Sequence, residues 1–199
     1  MYPFPSTQVG LFAFSEKSLA KLGYTKKRAH MMNPMLPGLR GKKMSASDPD
    51  SKIDLLDTPE VVRQKISAAA CDPRMVVEDN PILALLRIVL IPISKLRSTA
   101  RPAGSSIAIC VCPPFVEAGA PHGTVYSVQA EGEDDGFRHY TSYEEIEAEF
   151  LQGMVTPQAL KEAVARSLNQ LLVHVRNSFE TNPEWKDAME KGYPAIVEE

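Results

Sequence analysis

Apolar and polar residues alternate with a helical period near both ends of this 199-residue chain. Residues 11–22 place four apolar side chains on one helical face, and Gly23 follows as a residue type that commonly ends helices. Pro157 opens the longest such stretch, where apolar residues recur every three or four positions: Leu160, Val164, Leu168, Leu171, Val175 and Phe179. Both stretches predict amphipathic helices, and the second predicts a core helix of about six turns.

The middle of the chain predicts two further core helices and an acidic one. Thr58-Pro59 is a polar cap followed by proline, and the helix it opens is expected to reach Ala70 or Cys71. The next helix begins at Asn80-Pro81 and is apolar almost all round, so we expect it to lie centrally in the core. Residues 143–151 predict a helix whose many acidic side chains form a solvated face.

The remaining segments predict a hairpin, a loop and a short last helix. Residues 124–129 and 137–142 predict two β-strands joined across an acidic turn. Residues 94–122 are rich in Ser, Ala, Gly and Pro without a helical stripe, which predicts a long loop or insertion. A helix over residues 184–191 is expected to place Trp185 against the long helix. The pattern thus predicts a mainly α-helical protein.

Charge is distributed unequally along the chain. Residues 1–52 carry nine Lys and Arg against three Asp and Glu, whereas residues 53–199 carry 13 against 22. A phosphate-bearing ligand is therefore expected at the first part. The acidic second part argues against broad, sequence-independent binding of nucleic acid, although a local contact is compatible with it.

Composition excludes several classes of protein. Three cysteines, Cys71, Cys110 and Cys112, are too few for a disulfide scaffold and favour a reducing compartment. The four histidines are scattered, so we expect no metal site. The most apolar stretch, residues 82–93, is too short to span a bilayer, and the first residues lack the pattern of a signal peptide. We expect a soluble, cytoplasmic protein without a membrane partner.

The strongest chemical signal is the cationic segment 41–47, with the sequence Gly-Lys-Lys-Met-Ser-Ala-Ser. Two ammonium groups, two hydroxyls and a glycine suit a polyphosphate ligand. A Walker phosphate loop is excluded because Leu36 stands where that motif needs its first glycine. A Lys-Lys pair before a serine is, by itself, usually a solvated surface loop.

The neighbourhood of this loop changes its interpretation. Residues 43–47 resemble the Lys-Met-Ser-Lys-Ser loop of class I aminoacyl-tRNA synthetases, with Ala46 in place of the second lysine. Residues 30–35 before it and 51–57 after it resemble the tyrosyl-tRNA synthetases of the archaeal and eukaryotic type. The similarity is carried by about residues 14–57 and extends through the later helices and hairpin.

The resemblance implies a division of the chain. Residues 1–52 are expected to be the C-terminal remnant of a class I catalytic domain, with the last helix and strand of a Rossmann-like α/β fold. Residues 53–199 are expected to form the helical anticodon-binding domain with its β-hairpin and an insertion at 94–122. The His-containing ATP signature, the tyrosine pocket and the homodimer interface of the family belong to an earlier half that is not recognised here. We therefore expect a fragment that is inactive alone.

The resemblance also implies roles for particular residues. Lys43 is expected to be the catalytic cation on the phosphates of ATP, which is a substrate accompanied by Mg²⁺. ATP binding is assigned to six residues: Met31, Met32, Gly41, Lys43, Ser45 and Ser47. For the two methionines, core packing is the alternative. Gln8 corresponds to a glutamine that holds the amino group of tyrosine, although its neighbours differ from the family pattern.

Contacts to the anticodon of tRNA-Tyr are expected near the hairpin and the start of the long helix. Relatives use an aromatic side chain at the first place, where Phe137 lies close by, and a His-Pro-x-Asp sequence at the second. Thr156 and Ala159 replace the histidine and the acid here, while Gln158 offers a hydrogen-bonding edge. Core packing is the alternative role for Phe137.

Three other functions stay open from the sequence. A tryptophanyl-tRNA synthetase is compatible with the loop, although residues 51–57 and the helix at residue 80 favour tyrosine. A non-catalytic tRNA-binding or regulatory module derived from a synthetase is compatible with the absent first half. A helical domain without a function of its own would be indicated by exposed apolar surface on residues 11–35.

Overall fold

The computed structural model describes residues 9–24, 26, 35–40, 44, 48–75, 79–99, 115–130 and 136–192. Residues 1–36 and 37–199 form two separate compact units. The first unit contains helix α1, Val9–Lys21. The described part of the second contains α2 (Pro59–Ala68), α3 (Pro81–Leu85), α4 (Ile91–Thr99), β1 (Tyr126–Gln129), β2 (Phe137–Tyr140), α5 (Tyr143–Leu151), α6 (Pro157–Thr181) and α7 (Pro183–Gly192). The mainly helical character with one hairpin is confirmed.

Helix α1 ends as its sequence predicts. Gly23 has a φ of 86°, a backbone conformation that glycine adopts without a steric penalty. The N–H of Tyr24 donates to the carbonyl of Leu19 at 3.0 Å, and the N–H of Gly23 donates to that of Ala20 at 3.3 Å, which completes a Schellman cap. The apolar face stays in solvent, since Phe14 is 71% exposed. The strand expected at residues 30–32 lies outside the described residues.

Helix α2 begins at the predicted cap and ends earlier than predicted. The hydroxyl oxygen of Thr58 accepts from the N–H of Val61 at 3.3 Å. Ala69 is extended, with a ψ of 148°, so the helix stops before Ala70 or Cys71 is reached. Val62 and Ile66 are fully buried and place this helix against the core.

A long apolar helical segment begins at Asn80 and forms the centre of the core. The buried amide oxygen of Asn80 accepts from the N–H groups of Ile82 and Leu83 at 3.1 and 3.2 Å. Helix α3 passes into a π-helical turn over residues 86–90 and then into α4. Four side chains of this segment are fully or almost fully buried: Ile82, Leu83, Leu86 and Leu90. The predicted central position is confirmed.

The loop predicted for residues 94–122 is wrong for residues 94–99, which continue α4. Pro92 would break a regular helix because it has no N–H to donate. The π turn ends directly before it, with the N–H of Ile91 donating to the carbonyl of Leu86, and this wider turn accommodates the proline. The buried hydroxyl of Ser94 then donates to the carbonyl of Val125 at 2.6 Å and ties α4 to the hairpin.

The hairpin and the last three helices follow their predicted bounds closely. Strands β1 and β2 pair antiparallel, with Tyr126 opposite Tyr140 and Gln129 opposite Phe137. The start of α6 packs against α2 through a buried stripe: Ala159, Leu160, Ala163, Val164 and Leu168. The stripe is only half-buried from Leu171 onwards. Helix α7 contacts α6, and Trp185 is 51% exposed. Its packing against the long helix stays a prediction.

Replacement of Asn80 tests the cap of the central helix. We expect Asn80→Ala to lower the free energy of unfolding by about 1–2 kcal/mol, because two helix N–H groups lose a buried acceptor. Urea denaturation monitored by circular dichroism measures this change. Thr58→Ala, at an exposed cap, is the control with a smaller expected loss, and equal losses at the two caps would contradict this account.

Candidate functional site

All seven residues with a predicted ATP or tyrosine role lie outside the described part of the chain. This group contains Gln8, Met31, Met32, Gly41, Lys43, Ser45 and Ser47. Met44 is described, and its side chain is 38% exposed. The structure therefore informs on the segments that flank the loop, and those segments are well connected.

The two ends of the loop meet at the backbone of Leu39. Its N–H donates to the carbonyl of Ser51 at 2.9 Å, and its carbonyl accepts from the N–H of Ala70 at 2.8 Å. The side chain of Leu39 is 4% exposed and belongs to the main core. The two residues that flank positions 40–50, Leu39 and Ser51, are therefore bonded to each other, and Leu39 is also bonded to the chain just after α2.

Arg40 and two carboxylates lie at the base of the loop. The guanidinium Nη2 is 2.7 Å from Oδ2 of Asp50, and Nη1 is 3.8 Å from Oδ2 of Asp48. All three side chains are at least 40% exposed, so such pairs contribute only about 0–1 kcal/mol. The hydroxyl of Ser51 donates to the carbonyl of Asp48 at 2.8 Å and closes a short turn after the loop.

The segment after the loop is fixed by Asp57. Its Oδ2 atom accepts from Nζ of Lys65 at 2.7 Å and from the N–H of Asp54 at 2.9 Å. The side chains of Lys65 and Asp57 are only 11% and 14% exposed, so this ion pair is largely shielded from water. The sequence 51–57, which carries the tyrosine-type similarity, is therefore held to α2.

Helix α6 supports the same region through polar contacts with the start of α2. The amide of Asn169 donates to the carbonyl of Pro59 at 3.2 Å and accepts from Nη2 of Arg176 at 2.9 Å. Burial lowers the pKa of the Arg176 guanidinium, against the opposing effect of the Asp57 and Glu60 carboxylates. The Nε atom of Arg176 has no hydrogen-bond partner among the described residues.

The three predicted anticodon residues lie near the hairpin and the start of α6. Phe137 is half-buried, and the guanidinium carbon of Arg166 lies 5.4 Å from its ring centroid, within cation–π range. The hydroxyl oxygen of Thr156 accepts from the N–H of Ala159 at 3.1 Å, which makes Thr156 the cap of α6. Exposed Gln158 donates to Oε1 of Glu162 at 2.7 Å.

The acidic face of α5 is not wholly solvated, which corrects the prediction. Oε2 of Glu149 accepts from the Tyr140 hydroxyl at 2.8 Å and from Nη1 of Arg138 at 3.0 Å, so it links α5 to β2. Burial and the Glu149 carboxylate raise the pKa of the Tyr140 hydroxyl. This network positions the strand that carries Phe137.

A groove between α2 and α6 is a feature that the sequence analysis missed. This α2–α6 groove has a volume of about 700 Å³. Its lining includes buried apolar residues, Ile66 and Ala165, and three cations, Arg63, Lys161 and Arg166. The cations come from two helices separated by about a hundred residues, so charge counting along the chain gave no signal for them.

Other kinds of site find no support in the described residues. Within this part of the chain no cluster of His, Cys, Asp and Glu suits a metal ion. None of the described helices is long and apolar enough to cross a membrane. Burial raises the pKa of the Cys71 thiol, so this cysteine is poorly suited to act as a nucleophile.

Comparison with known proteins assigns the chain to a family. The family model described as "tRNA synthetases class I (W and Y)" matches residues 8–173. The chain belongs to this family. It is 40% identical over 188 residues to the cytoplasmic tyrosine–tRNA ligase of Saccharomyces cerevisiae, covering 94% of this chain and 42% of that protein.

Solved structures of synthetases from the same family resemble the chain as well. The tyrosyl-tRNA synthetase of Leishmania major, solved with tyrosinol, aligns with a TM-score of 0.65 at 26% identity over 96% of this chain and 26% of that one. The enzyme of Archaeoglobus fulgidus, solved with L-tyrosine, aligns with a TM-score of 0.60 at 30% identity over 85% of this chain and 43% of that one. This synthetase chain thus spans less than half the length of these relatives.

Replacement of Lys65 tests the shielded ion pair between Lys65 and Asp57. We expect Lys65→Met to lower the free energy of unfolding by about 3 kcal/mol, because Asp57 would keep its charge without a cation in a shielded place. Arg63→Met on the same helix removes an exposed pair with Glu60 and should cost less than about 1 kcal/mol. Urea denaturation compares the two variants, and equal losses would contradict the assigned role of Asp57.

Proposed function

We propose that this chain is part of a tyrosine–tRNA ligase that joins tyrosine to ATP and then transfers it to tRNA-Tyr. The observation that carries the proposal is the segment Lys43–Ser47 and its sequel 51–57, set at a closed base in a chain whose relatives are tyrosine–tRNA ligases. Residues 1–52 would be the remnant of the catalytic domain, and residues 53–199 the anticodon-binding domain.

The proposed chemistry assigns the loop to the phosphates of ATP. Attack by the tyrosine carboxylate adds negative charge to the α-phosphate, and the departing pyrophosphate gains charge as the bond breaks. Lys43, Ser45 and Ser47 would stabilise that charge most strongly in the transition state, which raises the rate rather than only the affinity. Gly41, which has no side chain, would let the backbone approach the phosphates. Mg²⁺ would arrive as the counter-ion of ATP.

The ATP and tyrosine sites need further residues that we propose from the resemblance alone. Met31 and Met32 would lie near the adenine, and Gln8 near the tyrosine amino group. The other half of the catalytic site, and the homodimer interface of the family, would lie outside these 199 residues. We therefore propose that the isolated chain does not activate tyrosine.

The anticodon of tRNA-Tyr would be read where the hairpin meets α6. Phe137 offers an aromatic face and Gln158 an amide edge, which are the groups that recognise unstacked bases. Thr156 is engaged as a helix cap, so its contribution to RNA would come through the position of α6. Cytoplasmic location is supported by the names of the yeast and chicken relatives.

A tyrosine–tRNA ligase is favoured over two alternatives, a tryptophanyl-tRNA synthetase and a non-catalytic module derived from a synthetase. The matched family includes tryptophan enzymes, yet the relatives named here are tyrosine–tRNA ligases. A non-catalytic module derived from a synthetase would bind tRNA-Tyr in the same way. It would differ in never supporting activation when its catalytic partner half is supplied.

Phe137 tests the proposed anticodon contact. We expect Phe137→Leu to weaken binding of tRNA-Tyr by about 1–3 kcal/mol, because leucine keeps apolar volume and removes the stacking face. Trp185→Leu, at an exposed aromatic residue of α7, is the matched control and should leave the affinity unchanged. Fluorescence anisotropy with labelled tRNA gives both values, and an unaltered Kd for Phe137→Leu would show that this ring only packs.

Lys43 tests the proposed catalytic role in a complete enzyme. A chimera in which this chain replaces the matching 42% of the yeast relative supplies both halves of the active site. We expect Lys43→Ala to lower its kcat for tyrosine-dependent ATP–pyrophosphate exchange by about 10²–10³, with a smaller effect of Lys42→Ala. Equal, small effects of the two substitutions would contradict the assignment of the main cation to Lys43.

A further inference from the structure

The α2–α6 groove, with a volume of about 700 Å³, has no role in the proposed function so far. Its lining extends along α6 from Gln158 to Val173, a length of about 22 Å for a helix of this span. Buried Ile66 and Ala165 give it an apolar floor. Its lining also contains the exposed side chains of Arg63 and Arg166 and the half-buried side chain of Lys161.

The charge of the groove is opposite to that of the segment that contains it. Residues 53–199 carry an excess of nine acidic charges, yet the groove lining has three cations and one carboxylate, Glu162. Arg63 has an exposed ion pair with Glu60 on its own helix, and basic residues elsewhere in the segment are paired as well, as Arg138 is with Glu149 and Lys186 with Glu180. Such a local reversal concentrates attraction for an anion at one place.

Two of the groove cations are available to a ligand. Lys161 uses one donor on the carbonyl of Ser67 at 2.8 Å, and no carboxylate lies within ion-pair distance of its ammonium among the described side chains. Arg166 likewise has no carboxylate partner in the described part of the chain, and its stacking on Phe137 leaves its N–H edge free. Both can donate to phosphate oxygens without breaking an existing ion pair.

Arg166 also connects the groove to the hairpin. Its guanidinium lies over the ring of Phe137 on β2, while its side chain lines the groove. A polyanion whose base stacks near Phe137 would therefore have its neighbouring backbone directed along α6. An RNA strand matches this combination of an aromatic contact, spaced cations and an apolar floor better than a single small anion does.

We propose that the α2–α6 groove binds the phosphodiester backbone of the tRNA segment next to the anticodon. This proposal rests on the proposed function, and it adds a contact surface that carries affinity but no base specificity. Lys161 and Arg166 hold phosphates, and Arg63 does so by exchanging its weak, exposed pair with Glu60 for a phosphate. The floor at Ile66 and Ala165 contacts the apolar faces of the nucleotides. The negative charge of Glu162 repels the phosphates and lowers the affinity of the groove for RNA.

The test compares two double variants of equal charge in the full 199-residue chain. Arg63→Gln with Lys161→Gln removes two groove cations, whereas Lys186→Gln with Lys191→Gln removes two cations of α7 outside the groove. Binding of tRNA-Tyr, of tRNA-Trp and of poly-glutamate is measured by fluorescence anisotropy across a salt series. Circular dichroism checks that every variant is folded.

We expect the groove variant to bind tRNA-Tyr roughly tenfold more weakly than the α7 variant, which should match the wild type. The negative slope of log affinity against log salt concentration should become shallower by about 1.4, because each lost phosphate contact on a single strand contributes about 0.7. The single variant Glu162→Gln should bind more tightly. The ratio of tRNA-Tyr to tRNA-Trp affinity should stay the same in all groove variants, since phosphates carry no base identity.

Equal affinities and salt slopes for the two double variants would overturn the groove proposal and leave the proposed function standing, provided that tRNA-Tyr is preferred. Weaker tRNA binding by the groove variant, together with equal affinity of the wild type for the two tRNAs, would instead support the groove proposal and overturn tyrosine specificity. Weakened binding of poly-glutamate with unaltered RNA binding would assign the groove to an acidic protein segment and overturn the proposal.

Discussion

The backbone of Leu39 joins the cationic loop to the helical domain. Its N–H and carbonyl bond to Ser51 on one side and to Ala70 on the other, and its buried side chain fixes both bonds in the core. A loop that acts on phosphates must start from a defined place, because a small displacement of its charges costs much of their effect. The base of the loop, at Leu39 and Ser51, therefore depends on packing at the end of α2.

The interface between α2 and α6 then serves two purposes. Its buried side carries Val62 and Ile66 in the same core as the apolar stripe of α6, and the amide of Asn169 donates to the carbonyl of Pro59 at the start of α2. Lys65 of α2 holds the segment that follows the loop through its ion pair with Asp57. Its open side is the α2–α6 groove. Because one pair of helices supports both the loop base and the groove, a change in their packing would affect the proposed ATP and RNA sites together.

Features set by short-range chemistry were predictable from the sequence. Thr58 and Asn80 act as helix caps, and Gly23 ends α1, because each of these caps needs only residues a few positions away in the chain. The helix over residues 94–99 was not predictable from periodicity. It depends on the π turn before Pro92 and on the bond of Ser94 to Val125, which is distant in sequence.

The site was predictable only in part, for the same reason. The composition and order of residues 41–47 predict a phosphate ligand, and that assignment stays a prediction. The groove cations come from α2 and α6 and meet only after folding. Glu149 belongs to an acidic helix by sequence, yet the fold gives it Tyr140 and Arg138 as partners. Helix α1 shows the opposite case. Helical periodicity correctly predicted this helix, but it did not indicate that the side chains of Leu11 and Phe14 are exposed.

The most direct test of the central claim is the binding of the folded 199-residue chain to tRNA-Tyr and to tRNA-Trp at moderate salt, beside an ATP–pyrophosphate exchange assay with tyrosine. The account predicts preferential binding of tRNA-Tyr and no exchange, as expected for an anticodon-binding domain with an incomplete catalytic site. Equal affinity for the two tRNAs, or tyrosine-dependent exchange by the isolated chain, would contradict it.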